Sequence, residues 1–291
     1  MLSDRLQPRP SYTLFTHPLP DFPLPTRRAL PDPLPRLMIA TPCKNASAML
    51  ETYFALIEAL DYPRERLHLR LLEGDSSDDT YALAKAGLRR FEDCASAELL
   101  KLDLGVDISG GERDRAEVQR DRRAAIAACR NALLRAFLES DADEVLFIDV
   151  DMAVIPPDAL RRALEVDAPI RVANCRKLKS DENFDANSFR YTRQPTDLAM
   201  RRFGKQGIYQ PPSRFFRHYP PVGNAGDVVP LHSVGGTFLL IRRDVAEAGV
   251  DFPETPYQYH LETEGLALKA ADHGFGSFML PGLIVRHGDH G

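Results

Sequence analysis

The sequence predicts an α/β fold with a mostly parallel central sheet flanked by helices, and three observations predict it. Short apolar runs alternate with stretches of helical period through the first half of the chain, which is the pattern of βαβ units. The polar motifs TPCKN, EGDSSDD and DVD each fall where such a run ends. Right-handed crossovers collect those ends on one edge of the sheet, where open α/β sheets bind ligands. Of 291 residues, 44% are hydrophobic and 27% charged, enough apolar material for a sizeable core.

Residues 1–35 are rich in proline, which lacks a backbone donor and fixes φ. They read as an extended arm, with Tyr12, Leu14, Phe15, Leu19, Phe22 and Leu24 as apolar anchors along the body. Strands are predicted at 36–42, 66–75, 97–104 and 144–151. The helices between them lie at 47–60, 78–91 and 122–140, by apolar spacing and by the hydroxyl or acidic residues that open the first two. The stretch 105–119 is polar and reads as mobile. Further on, 169–175 reads as a strand, 176–230 as loop-rich, and 234–249 as a strand and a short helix. The stretch 261–274 reads as a helix whose first-turn acids suit its dipole, and 275–288 as two short strands around Pro281-Gly282.

A net charge of -5 excludes a globally basic nucleic-acid binder. Cys43, Cys94, Cys129 and Cys175 form no CxxC pair and match neither a zinc site nor a disulfide framework, which fits a reducing cytosol. No leader pattern opens the chain, and no apolar run approaches the ~18 residues of a membrane span. The expectation is a cytoplasmic protein without a membrane span.

Chemistry concentrates at the strand ends. Asp149 and Asp151 follow the run VLFI at i and i+2, which point to one face of a strand. Two carboxylates so placed can hold a hard divalent cation against a diphosphate; the alternative is two solvated loop acids. His287, after another apolar run, can complete such a site or be structural. In EGDSSDDT, Asp75 can accept hydrogen bonds from a base or ribose while Asp78 caps the next helix. In TPCKN, Pro42 shapes a turn whose backbone, beside Lys44, can face a nucleotide. Arg130 lies next to Asn131 in a helix, either solvated or clamping a phosphate. Gly235 and Gly236 form either a close backbone approach or a floor beneath a sugar. Glu262 and Glu264 either complement the helix dipole or hold hydroxyl groups.

TPCKN, LLEGDSSDDT, CRNALL, VLFIDVDMAVIPPDAL, NSF at 187–189, SVGGTFLLIRRDV and YHLETEGLALKAADHGFGSFMLPGLIVRH follow one another in a characteristic order. In that order they resemble the fungal Golgi α-mannosyltransferases of the mannan polymerase complexes, glycosyltransferase family 62, from about residue 37 to 288. The resemblance implies a GT-A type fold, with one domain over 36–291 after the arm: a nucleotide-binding half (36–151) and a half that completes the metal site and takes the acceptor (152–291). It implies a GDP-linked donor of a mannose-like hexose, Mn2+ with Mg2+ as the alternative, and transfer with retention. Residue by residue, Asp149, Asp151 and His287 match metal ligands, Asp75 the nucleoside acid and Arg130 the diphosphate arginine. Glu264 and Gly236 match positions around the donor sugar. The catalytic candidates are therefore Asp151, Glu264 and Arg130. The donor-binding candidates are Pro42, Lys44, Asp75, Arg130, Asp149, Gly235 and Gly236.

The chain departs from that group in carrying a proline-rich arm in place of a membrane anchor. It has His232-Ser233 where an acid is expected before the double glycine, and its segment 191–229 is different. A bacterial or phage-encoded relative is the expectation. A phosphohydrolase of the haloacid dehalogenase type and a non-catalytic sugar-nucleotide-binding scaffold subunit are the alternatives. The acceptor is open between a glycan, a lipid, a small molecule, a protein and hydroxymethylated DNA. For DNA, Arg113, Arg115, Arg120, Arg122 and Arg123, with Arg201, Arg202, Lys205, Arg214 and Arg217, form candidate basic sets. Pairing of the first set with Glu112, Asp114, Glu117 and Asp121 is the alternative. Oligomeric state is not legible.

Overall fold

Alternation along the apolar runs builds two cores, one on each face of a sheet. In the first strand, β1 (Leu37–Cys43), Leu37 and Ile39 enter one core while Met38 and Ala40 enter the other. The computed structural model describes residues 21–105, 116–193, 195–205, 207–212 and 215–288. The first half continues with α1 (Leu50–Glu58), β2 (Leu67–Glu73), α2 (Thr80–Gly87), β3 (Ser96–Lys101), α3 (Ala116–Glu139) and β4 (Glu144–Ile148). Then follow β5 (Met152–Val154), α4 (Ala159–Leu164), β6 (Ile170–Lys177), β7 (Arg190–Tyr191), α5 (Asp197–Phe203), β8 (Gly204–Lys205) and β9 (Ile208–Tyr209). The remaining elements are β10 (Arg217–His218), β11 (Val229–Leu231), β12 (Phe238–Arg242), α6 (Arg243–Glu247), α7 (Glu262–Asp272) and β13 (Ser277–His287).

The nine-stranded sheet runs β11-β13-β6-β12-β4-β1-β2-β3, with β5 branching from β13. Its strands are parallel except β5, β11 and β12. Side chains of α1, α2 and α4 fill one core; those of α3, α6 and α7 fill the other. In β4, Leu146 and Ile148 face the first core and Val145 and Phe147 the second. A strand buried on both faces reads as a continuous apolar run, as VLFI does. Among the described residues, no helix is long and apolar enough to cross a membrane.

Three boundaries differ from expectation. The second helix gives way to a 3-10 turn at Leu88–Phe91. Its last residue, Gly87, packs so closely that a Cβ would lie 1.9 Å from the Phe54 ring. The closing segment is one strand, β13, not two. Pro281 has no donor for the ladder, so the register with β6 shifts between Leu280 and Ile284 and then resumes. β4 stops at Ile148, and the acids that follow lie in a turn.

Of the arm, residues 21–35 run extended. Arg27 bridges Val166, Phe22 and Leu30 pack on the first core, and Arg190 pairs with Asp21 at 2.6 Å. Leu24 stays exposed. Tyr12, Leu14, Phe15 and Leu19, and most of the 105–119 stretch, lie outside the described residues.

Candidate functional site

The turn Asp149-Val150-Asp151 delivers the chain from β4 into β5, and β5 pairs with the end of β13 so that Met152 stands opposite His287. That pairing, not strand alternation, brings the acids and the imidazole together. One ligating atom from each of Asp149, Asp151 and His287 lies within 4.8 Å of the others. The Nε2 of His287 lies 2.8 Å from an Asp151 oxygen, and its Nδ1 lies 2.7 Å from the Gly288 carbonyl. Phe184 stacks on the ring at 3.6 Å. Burial disfavours the charged imidazole, but the Asp151 hydrogen bond and charge prevail and raise its pKa. Burial pushes the Asp149 carboxyl above the usual carboxylate range, with Asp151 and Glu262 adding to it against Arg130.

Arg130 reaches this cluster from α3 and is 4% exposed. Its Nη2 donates to Asp149 at 3.0 Å and its Nη1 to the Gly236 carbonyl at 3.4 Å. Its guanidinium lies 5.6 Å from the ring centroids of Phe147 and Phe252. A Cβ on Gly236 would lie 2.2 Å from Arg130, and one on Gly235 would lie 1.4 Å from Asp185. The double glycine thus makes room for two charged side chains. It reaches this edge because β12 runs antiparallel to β4 and begins where β4 ends. Asp185 accepts from Thr237 Oγ1 at 3.2 Å, and burial pushes its carboxyl up to about 6.

From Arg130 a row of alternating charges continues inward. Arg130 Nε lies 3.3 Å from Glu262, and Arg123 Nε lies 3.7 Å from the other Glu262 oxygen. Arg123 Nη2 lies 3.9 Å from Glu264, and Arg217 Nη1 lies 3.7 Å from it on the far side. Burial raises the Glu264 carboxyl, but Arg123 and Arg217 outweigh it and hold the pKa below the ordinary value. Glu262 opens α7 with φ 53°, and Gln258 and Tyr259 just before it have φ 45° and 65°. Such conformations cost energy in non-glycine residues and cluster at functional sites.

On the other side of Arg130, the β1–α1 and β2–α2 loops are stapled together. Asn45 Oδ1 accepts from Ser77 N at 2.8 Å, Thr80 Oγ1 from Ala46 N at 2.7 Å, and Asp78 Oδ2 from Ser47 N at 3.1 Å. Asp78 also accepts from Thr80 N at 3.1 Å, which satisfies the start of α2. Asp75, at φ 56°, accepts from the Leu104 and Gly105 amides at 3.0 and 3.1 Å. Pro42 lies in β1 beside Leu72, and Lys44 is exposed just beyond the strand. The Cys129 thiol of α3 is pushed up to about 11 by burial and Asp75, while Arg130 and Lys44 act against this.

The sequence-predicted residues fall into two groups. Asp149, Asp151, His287, Arg130, Gly235 and Gly236 meet at one end of the sheet, Glu264 is joined to them only through Arg123 and Glu262, and Asp75, Pro42 and Lys44 lie along the same edge over β1 and β2. Two basic residues expected on a surface patch turn inward instead. Arg123 is tied to Glu262 and Glu264, and Arg217 to Glu264. Arg201, Arg202 and Arg122 are exposed. Arg113, Arg115, Arg214 and the Lys205 side chain lie outside the described residues. Sequence reasoning missed Asp185 and Phe184, which sit in a stretch read as loop. For Arg123 a signal existed: Arg123, Ala127, Arg130, Leu134 and Phe137 form one helical stripe, and Ala127, Leu134 and Phe137 are core.

A family description, Anp1, matches residues 32–256. The chain is 25% identical over 278 residues to the mannan polymerase II complex anp1 subunit of Schizosaccharomyces pombe, covering 88% of this chain and 64% of that protein. It is 28% identical over 255 residues to the mannan polymerase complex subunit mnn9 of the same yeast, covering 81% and 75%. The chain therefore spans less than two-thirds of the first relative. Among solved structures, a mannosyltransferase from Pyrobaculum calidifontis in complex with GDP-Man and Mn2+ superposes with a TM-score of 0.52 at 16% identity, over 91% of this chain and 60% of that one. At that identity the likeness shows the fold, which is of the GT-A nucleotide-sugar glycosyltransferase type.

Proposed function

The chain belongs to the Anp1 family, and from that premise we propose that it is a metal-dependent glycosyltransferase. It moves a mannose-like hexose from a GDP-linked donor to an acceptor hydroxyl, with retention of configuration. The observation that carries this reading is the meeting of Asp149, Asp151 and His287 within 4.8 Å, beside the buried guanidinium of Arg130. Two carboxylates and an imidazole suit Mn2+ or Mg2+. The Nδ1 of His287 faces the Gly288 carbonyl, the outer contact that leaves Nε2 for a metal. A cation held by Asp149, Asp151 and His287 would supply Lewis-acid charge to a leaving diphosphate.

The chain's own residues do the rest. Arg130 orients Asp149 and presents positive charge where a diphosphate departs. The stapled loops over β1 and β2 present Lys44 and Asp75 to the nucleoside. Glu264, held below the ordinary carboxylate pKa by two arginines, is an acceptor of hydrogen bonds and a poor base. The fold supports a sugar-nucleotide reaction over a phosphohydrolase. Incubation with GDP- and UDP-sugars and Mn2+ tests the proposal. Release of hexose from a GDP-sugar, abolished by chelation, is expected. Phosphatase activity without any nucleotide would overturn it, and metal-dependent nucleotide binding without turnover would favour the scaffold reading.

A further inference from the structure

Charge is spread unevenly along this chain. Residues 190–218 carry seven arginines and lysines against a single aspartate, a net of +6 in a chain whose total is -5, so the remaining residues carry -11. Two of these cations are paired, Arg217 with Glu264 and Arg190 with Asp21. Arg193, Arg201 and Arg202 are exposed and have no ion-pair partner among the described residues. α5 displays two of them. Its start is fixed by Thr196 Oγ1, which accepts from Ala199 N at 3.3 Å, and Ala199 turns inward at 7% exposure. Leu198, Arg201 and Arg202, at i, i+3 and i+4, therefore share the outer face. Leu198 is 75% exposed, the most of any large apolar side chain among the described residues. A run of contacts joins this face to Arg193. Arg202 lies 5.4 Å from the Phe203 centroid, Phe203 4.9 Å from Phe215, Phe215 4.0 Å from Phe216, and Arg193 3.8 Å from Phe216. All three rings are half-buried. Phe216 is held at φ 56°, a conformation that bulky residues avoid.

Unpaired arginines beside an exposed leucine and half-exposed phenylalanine rings match the boundary of an anionic bilayer. The cations meet lipid head groups while the apolar side chains enter the interface. Each cation at such a surface contributes about fivefold in affinity. Salt screens that part and leaves the apolar part in place. Nucleic acid, the anion considered for Arg201 and Arg202 from sequence, fits this face less well. Bases stack on open aromatic faces, but Arg193 already lies over Phe216, and the rings pack on one another. The exposed Leu198 side chain has nothing to offer a phosphate. We propose that the outer face of α5, with Arg193 and the three phenylalanines, docks on an anionic lipid surface. The inference does not depend on the reaction proposed above.

The test is co-sedimentation of the full chain with vesicles of phosphatidylcholine alone and of phosphatidylcholine mixed with phosphatidylglycerol, over a salt series. Binding to the anionic vesicles is expected, weakening with salt without vanishing, and the neutral vesicles should bind far less. Changing Arg201→Gln and Arg202→Gln together should weaken anionic-vesicle binding at least tenfold, at about fivefold per charge. Leu198→Ser should weaken it severalfold and leave its salt dependence as it was. Arg193→Gln lies outside α5, so it remains informative if the double variant disturbs the helix, and it should weaken binding about fivefold. All of these variants should keep the wild-type Tm, because the residues are exposed. No binding to anionic vesicles, equal binding to neutral ones, or binding untouched by the substitutions would each overturn the proposal. Binding to duplex or single-stranded DNA in place of vesicles, lost with the same arginines, would overturn it too and assign the face to nucleic acid.

Discussion

Two polar regions share the same edge of the sheet and are built in opposite ways. Over β1 and β2, the side chains of Asn45, Asp78, Thr80 and Asp75 each meet backbone amides at 2.7 to 3.1 Å. Over α7, Glu262, Arg123, Glu264 and Arg217 sit 3.3 to 3.9 Å from their neighbours, and several of their atoms have no hydrogen-bond partner. Both regions hold non-glycine residues at positive φ. The first is a finished network that fixes two loops. The second is held largely by packing and by charges at salt-bridge distance, with Arg123 Nη2 donating directly to the Leu261 carbonyl at 3.0 Å.

The largest expected effect separates chemistry from scaffold. Asp151→Asn should lower Mn2+-dependent transfer by at least ~100-fold while circular dichroism and the metal-free Tm stay as they are, since the residue sits in a turn at the sheet edge. Stabilisation of the wild type by added Mn2+ should vanish with it. A variant that retains full turnover in a chelator breaks the assignment of the acid turn to metal.

Next come the glycines beneath the charge row. Gly236→Ala forces Arg130 aside and should cost about 1–3 kcal/mol of stability and most of the activity. Gly74→Ala, whose Cβ would lie 2.5 Å from the Leu102 carbonyl oxygen in the stapled region, should cost a similar amount and leave metal binding intact. Urea denaturation with a Mn2+ titration distinguishes them, and equal loss of metal binding in both would erase the contrast.

Asp185 gives a pH signature. Burial holds its carboxyl at about 6, well above the ordinary range of an aspartate, so the folded state keeps its proton to higher pH than the unfolded state. The wild type therefore loses stability as pH rises from about 4 to 6 and stays at that lower level above. Asp185→Asn should be more stable than wild type by about 3 kcal/mol at pH 7.5, with the gap closing by pH 4. A gap that does not change with pH would show that the carboxyl is ordinary.

The smallest effect belongs to the finished network. Although burial pushes the other way, hydrogen bonds from Ser47 and Thr80 hold Asp78 at about 2. Its contribution is therefore present above about pH 4 and fades as pH falls through 2. Asp78→Ala should lower stability by about 1 kcal/mol at neutral pH and spare Mn2+ binding. An unchanged Tm would show that the loops hold without it.

The sequence disclosed the first of these regions more fully than the second. Strands β1, β2 and β4 were legible because each is buried on both faces and flanked by a helix close in sequence. The acids of 149–151 were legible because they stop an apolar run, although the turn that joins them was not. The direction of β12 could not be seen: an apolar strand reads the same either way, and only its pairing with β4 carries Gly235 and Gly236 to the site. Arg123 and Arg217 looked like surface charges because their partner, Glu264, is remote in sequence. Asp185 carried no local pattern at all, since its role depends on the missing side chain of Gly235.

The docking of β13 bears on how the molecule is made. Synthesis runs from the N-terminus, so β1 through β12 and both helical layers leave the ribosome before β13 does. Until then β6 has one unpaired edge, a hazard for misassociation, and the acid turn lacks its imidazole. One late strand then closes the edge, receives β5 and delivers His287. A chain cut short before Ser277 would thus lack His287 and leave the edge of β6 open to wrong pairings.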